Sequence, residues 1–272
     1  MNEASVGFQC PECVADGRRT QRSTKTIFGG STAGAHGYVT ITLIAINVLV
    51  GLLGIFAGGL GGVFGGAVGG LFGGNTGITE WGAVYGQGYY PSLDMLGPAG
   101  VADGEYYRLF TAMFIHLGPL HLLMNMWALW VLGRDIEAVL GPLRFAALYL
   151  VSGLGGSVAV YLFEPYPGGA GASTAIFGLF AAMFIILKRL RRDVSGLIPI
   201  LVINVLISFV PGISFWGHLG GAVTGAVLSF ALAYAPAKRR NLVFGGVLGV
   251  VLVLLAVLSV MQTAALQNFV PA

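Results

Sequence analysis

Three short stretches hold side chains whose types and spacing can do chemistry: His121-Leu-Leu-Met-Asn125, Gly171-Ala-Ser173 and Gly217-His218-Leu-Gly-Gly221. Each lies in an apolar segment long enough to cross a bilayer, close to the same end of it. Polar and ionisable residues inside spans are costly and are functional candidates by default. Ser173 follows a Pro/Gly-rich turn from Pro165 to Gly171 and opens a span. A helix start leaves backbone N–H groups unpaired, and such donors can stabilise the oxyanion formed in acyl transfer. Gly171, two residues earlier, leaves room for a substrate backbone. Taken alone, Ser173 also reads as an ordinary N-cap, a position serine favours.

His218 falls a few residues inside its span, roughly 6–12 Å below the outer end at ~1.5 Å per residue. A neutral imidazole can take a serine proton at physiological pH. Gly221 and Gly225 share its helical face, so that helix can approach a neighbour closely and bring His218 to Ser173. His121 and Asn125 are one turn apart and face the same way. Both can donate hydrogen bonds, and an oxyanion donor is worth about 3 kcal/mol. Each residue alone also fits a plain interhelical hydrogen bond. Four of them at one depth on three spans make coincidence the weaker reading. No Asp or Glu occurs in the spans carrying Ser173 and His218, which leaves a Ser–His dyad. The set points to serine-nucleophile proteolysis inside a membrane.

The elements that must position these residues are all apolar. The 272 residues are 56% hydrophobic and only 9% charged, against about 25% charged in a soluble domain. Hydropathy predicts an all-α, polytopic membrane bundle of seven spans, at Tyr38–Ala57, Pro119–Leu140, Pro142–Phe163, Ser173–Leu190, Ser195–Val210, Ser214–Ala235 and Leu242–Thr263. Charge precedes the first span, so no cleavable signal peptide is expected. With seven spans, thirteen of the fourteen Lys and Arg residues fall on one side and only Arg108 on the other. Positive charge marks the cytoplasmic side, so a plasma-membrane protein with its N-terminus inside and its C-terminus outside is expected. The basic runs are short and each abuts a span, which argues against nucleic-acid binding; the partners are a lipid bilayer and membrane substrates.

Three organisational units follow: a cytoplasmic segment 1–37, a six-span domain 38–235, and a seventh span with a short tail, 236–272. Cys10 and Cys13 form a C-x-x-C pair, half of the four-ligand shell of a structural zinc site. No second pair completes it, so no metal is expected in this chain, and two ordinary thiols in a tail is the alternative. Ten glycines between 58 and 74 include doublets at a four-residue spacing. They suit either close helix packing or a flexible linker, and a partly helical continuation of the first span is expected. Residues 75–118 form a long outside connection, which normally means a functional or lipid-contacting element.

The combined motifs resemble the rhomboid intramembrane serine proteases. His121-x-x-x-Asn125, Gly171-x-Ser173 and His218-x-x-Gly221-x-x-x-Gly225 match in order and spacing from roughly Glu105 to Ala235. The resemblance implies a six-helix core with one appended C-terminal span. It implies Ser173 as nucleophile, His218 as base, and His121, Asn125 and Ser173 as the oxyanion hole, with Gly171, Gly221 and Gly225 in support. His116 matches a further family histidine before the second span. Single-span membrane proteins cut near the outer face would be the substrates, with no cofactor. The chain departs from the family at Thr174, often Gly, and at Gly217, often Ala. Its N-terminus resembles actinobacterial-type members with a zinc-binding segment, of which Cys10 and Cys13 would be the last pair; this chain would then begin partway through that segment.

Two other functions compete: a catalytically silent relative that binds clients, and a small transporter. A transporter expects an inverted repeat or mid-membrane charge, and the polar cluster is one-sided instead. The charge asymmetry also makes a prediction. A cysteine introduced near position 240 should react only with reagents applied from the cytoplasm, and one between Trp81 and Arg108 only from outside. Labelling of position 240 from outside would overturn the orientation.

Overall fold

The computed structural model describes residues 2–3, 7–20, 24–64, 76–87, 100–166, 168–210 and 212–268. The molecule is a polytopic helical membrane protein. Its helices are α1 (Pro11–Thr20), α2 (Tyr38–Phe64), α3 (Gly77–Gly82), α4 (Arg108–Thr111), α5 (Pro119–Leu140), α6 (Pro142–Phe163), α7 (Ser173–Arg189), α8 (Leu197–Ile207), α9 (Phe215–Tyr234) and α10 (Arg240–Asn268). A two-residue antiparallel pair, Asn2–Glu3 with Phe8–Gln9, precedes α1. Cys10 and Cys13, at the start of α1, are free and exposed.

Local chemistry sets these boundaries. Pro119 and Pro142 each follow a glycine with positive φ (93° at Gly118, 85° at Gly141) and start α5 and α6 at the first helical position, where the missing N–H is no loss. α2 continues past the expected Ala57 to Phe64, broken at Gly59 (φ 63°); the rest of the glycine-rich stretch, residues 65–74, lies outside the described residues. α8 is shorter than the expected Ser195–Val210. Asp193 accepts from the backbone N–H and the hydroxyl of Ser195, which forms a turn and delays the helix to Leu197. Those two bonds also hold the Asp193 carboxyl below its ordinary range.

Among the described residues, four helices are long and apolar enough to cross a membrane, and a fifth span results if the pair Arg108–Phe114 and Pro119–Leu140, bent by 88°, is counted. α7 has 17 residues. α8 has only 11, about 16 Å at ~1.5 Å per residue, half of a ~30 Å hydrocarbon core.

α6 sits at the centre, with two-thirds of its apolar window buried, against 17% for α10. α7 and α9 flank it, while α2, α8 and α10 present broad apolar faces outward, including Leu53 and Phe56, Val202 and Ile203, Val250 and Val253. Such faces suit lipid. α10 is tied in by its polar end: Thr263 bonds the hydroxyls of Tyr106 and Tyr161, and Gln267 donates to the Ala102 carbonyl.

The connection from α2 to α5 is a packed element. Arg108 is 2% exposed; it pairs with Glu105 at 2.6 Å and donates to the carbonyls of Glu80 and Ala83. Val84 and Gly169 exchange backbone hydrogen bonds of 2.9 and 3.0 Å, joining this connection to the turn before α7.

The other end of the bundle depends on Glu137, which is fully buried. Its carboxyl accepts from the backbone N–H groups of Val39 and Thr40 and from the Thr40 hydroxyl, at 3.0, 2.8 and 2.8 Å. It thereby satisfies the first-turn donors of α2, which have no partner within their own helix. Glu137→Ala should destabilise the fold by about 1–3 kcal/mol, the desolvation penalty of buried unpaired donors. Reversible unfolding in mixed micelles measures this; unchanged stability would show that α2 needs no such cap.

Candidate functional site

The contact between α7 and α9 is backbone against backbone. A Cβ on Gly225 would lie 2.4 Å from the Gly178 Cα, and one on Gly221 would lie 1.9 Å from the Thr174 carbonyl oxygen. No side chain fits between the helices here, which is the use of small residues in membrane packing. Ser173 is the first residue of α7 and His218 the fourth of α9, so this contact brings their side chains together. The Ser173 Oγ lies 2.9 Å from the His218 Nε2. Ser173 is not an N-cap: α7 starts at Ser173, its cap residue is Ala172, and no side chain caps it. The Ser173 hydroxyl is therefore left for the histidine.

Two contacts fix the His218 ring. Phe177, one turn after Ser173, stacks on it with centroids 3.9 Å apart and planes 11° apart. The Ser208 hydroxyl, in the turn that follows α8, lies 2.6 Å from its Nδ1. His218 is 6% exposed and Ser208 3%. Neither Phe177 nor Ser208 was singled out in the sequence. Phe177 stands four residues from Ser173, a spacing that could have flagged it; Ser208 is an unremarkable serine at the end of an apolar run and carries no local signal.

His121 approaches from the third side. Gly171 has φ 140°, a conformation open to glycine. A Cβ there would meet the His121 Nε2 at 2.9 Å and the Ser173 Oγ at 3.3 Å, so Gly171 is required both for its backbone and for the space. The His121 Nδ1 accepts from the Leu117 N–H at 3.3 Å. A neutral imidazole that accepts at one nitrogen donates at the other, so the Nε2–H faces the space beside Gly171. Asn125 is buried and donates one amide hydrogen to the His121 carbonyl at 2.8 Å, leaving a second. His116 packs edge-on against His121 at 5.2 Å, and both its nitrogens are buried without a hydrogen-bond partner among the described residues. Among the described residues, no three His, Cys, Asp or Glu side chains are grouped to hold a metal.

Thr174 and Gly217 touch each other. A Cβ on Gly217 would come 3.2 Å from the Thr174 Cγ2, and one on Gly156 only 2.5 Å from the Thr174 Cβ. The Thr174 side chain thus packs towards glycines on both neighbouring helices, Gly156 on α6 and Gly217 on α9.

A family model described as the Rhomboid domain matches residues 103–235. The rhomboid protease GluP of Bacillus subtilis (strain 168) is 40% identical over 143 residues, covering 50% of this chain and 28% of GluP. The putative rhomboid protease YdcA of the same organism is 35% identical over 148 residues, covering 52% of this chain and 74% of YdcA. The inactive rhomboid protein 1 of Bos taurus is 32% identical over 134 residues, covering 47% of this chain and 16% of that protein. The chain thus spans well under two-thirds of GluP.

The helix contact also yields a contrast between two glycines. Alanine gains about 1 kcal/mol over glycine in a helix interior. At Gly221 the 1.9 Å overlap with a carbonyl outweighs that gain, since overpacking costs about 1–3 kcal/mol or more. Gly221→Ala should lower stability in detergent and abolish any Ser173-dependent activity. Gly217→Ala, whose nearest contacts are at 3.0 Å, should be near neutral. Equal thermal stability for the two variants would refute the contrast.

Proposed function

This chain belongs to the rhomboid family, and we propose that it is an intramembrane serine endopeptidase working through a Ser173–His218 dyad. The observation that carries the reading is the 2.9 Å Ser173 Oγ to His218 Nε2 contact between the first turns of α7 and α9. His218 takes the Ser173 proton as the oxygen attacks a peptide carbonyl, forming a tetrahedral intermediate. The His121 Nε2–H, the free Asn125 amide hydrogen and the Ser173 N–H are the donors for its oxyanion. His218 then protonates the leaving amine, and water hydrolyses the acyl-enzyme by the reverse sequence.

The substrates proposed are single-span membrane proteins, cut near the outer face of the plasma membrane with this chain's N-terminus inside. Peptide bonds in a helix are shielded, so the cleaved bond should sit among helix-weak Gly, Pro or small residues. No cofactor is required. One relative is named inactive, which makes a direct test of the nucleophile necessary.

A fluorophosphonate should label the wild-type protein and not Ser173→Ala. Ser173→Ala and His218→Ala should each reduce cleavage of a single-span substrate by at least ~10³-fold, and the double variant should be no worse, because groups acting as one unit are non-additive. Substantial cleavage by Ser173→Ala would sink the reading. Labelling absent from a folded wild type would favour a silent client-binding protein.

A further inference from the structure

The dyad works only if the His218 Nε2 is bare, and something must keep the proton on Nδ1. We infer that Ser208 is the positioning residue that does so, through a chain running from the Asn204 carbonyl to Ser208, to His218 and to Ser173. This inference rests on the proteolytic reading above.

Hydrogen counting carries it. A serine hydroxyl has one hydrogen to give and can accept through its oxygen. The Ser208 Oγ donates to the Asn204 carbonyl at 2.9 Å and lies 2.6 Å from the His218 Nδ1. With its hydrogen committed, the hydroxyl can only accept from Nδ1, so Nδ1 carries the imidazole proton. The Nε2 is then an acceptor, pointed at the Ser173 hydroxyl at 2.9 Å. In the opposite arrangement Ser208 would donate to Nδ1 and strand a hydrogen on Nε2, and Ser173 could not be deprotonated. Asn204 lies in the last turn of α8. Its carbonyl also accepts the Ser208 backbone N–H at 3.1 Å, and a carbonyl oxygen has a second lone pair for the Ser208 hydroxyl hydrogen. The same helix end carries the negative pole of the α8 dipole, which favours a proton on the adjacent imidazole nitrogen. The pole also favours the imidazolium that forms when Ser173 attacks. Burial of Ser208 and His218 removes water as a competing partner. A neutral hydroxyl and a helix end thus occupy the place of a carboxylate, the third member that the spans of Ser173 and His218 lack.

The test uses the full chain in detergent, with nitrogen-15-labelled histidine. The protein has four histidines, and His218→Gln assigns the signal of His218. The wild type should show a bare Nε2 and a protonated Nδ1, while Ser208→Ala should show a tautomer mixture. On a single-span substrate, Ser208→Ala should lower kcat by about 10- to 100-fold, part of the ~10²–10⁴ that general-base catalysis contributes, with KM unchanged. Ser208→Thr, which keeps the hydroxyl, should restore most of kcat. A wild-type His218 protonated on Nε2 overturns the inference. So does a Ser208→Ala variant with wild-type kcat, or one that loses kcat with its tautomer unaltered, since that loss would be one of packing. Failure of the parent reading looks different: Ser173 in the wild type is then unlabelled by fluorophosphonate, whatever the tautomer of His218.

Discussion

The close approach of α7 to α9 is the constraint on which the rest depends. A glycine Cβ at position 221 would sit 1.9 Å from a carbonyl oxygen, so the helix separation is set by backbone atoms and admits no larger residue. In lipid there is no hydrophobic force to press helices together, because the tails are as apolar as the side chains. Contact area must come from fit. The glycines give that fit, and a 2.9 Å hydrogen bond between residues 45 apart in sequence follows from it. α6 serves both partners, with Gly155 and Gly156 against Thr224 and Thr174. The site is therefore a property of three helices in mutual contact.

An apolar solvent makes every polar group a question of partners. The donors at the start of α2 go to Glu137, Arg108 is held by Glu105 and two carbonyls, and the hydroxyls of Tyr106 and Tyr161 go to Thr263. Apart from the Arg108–Glu105 pair, each joins segments at least 25 residues apart in sequence, so satisfaction of polar groups doubles as the cross-bracing of the bundle. The proposed catalytic set differs in kind. Its members, the Ser173 hydroxyl and the rings of His218 and His121, converge on the space that Gly171 leaves for lack of a side chain.

Much of this was legible in the sequence because the relevant physics is local. Helix starts at Pro119 and Pro142 follow from proline and glycine, and the positions of Ser173, His218, His121 and Asn125 follow from polar residues in apolar runs. What was not legible depends on distant partners. Glu137 lies inside the span Pro119–Leu140, and its partner Thr40 is 97 residues away. The short α8 follows from Asp193 capturing Ser195. Thr174 and Gly217 read as two separate departures, and their shared space is visible only with α7 and α9 side by side.

α8 shows how position outweighs size. Of its eleven residues only Leu197 is buried, so little apolar packing holds it to the bundle. Its firm polar link lies at its far end, where the turn carries Ser208 to His218. Leu197 packs the first turn of α8 into the core and Ser208 ties the turn after its last, so any displacement of that far end acts on the histidine ring. Phe177 stacks the same ring from α7, the helix that carries Ser173. His218 is thus oriented by one contact from the rigid core and one from a loosely packed helix. The stacked Phe177 fixes the plane of the ring, and on our proposal Ser208 fixes its proton. On that proposal the proton position of His218 depends on where the end of α8 holds Ser208.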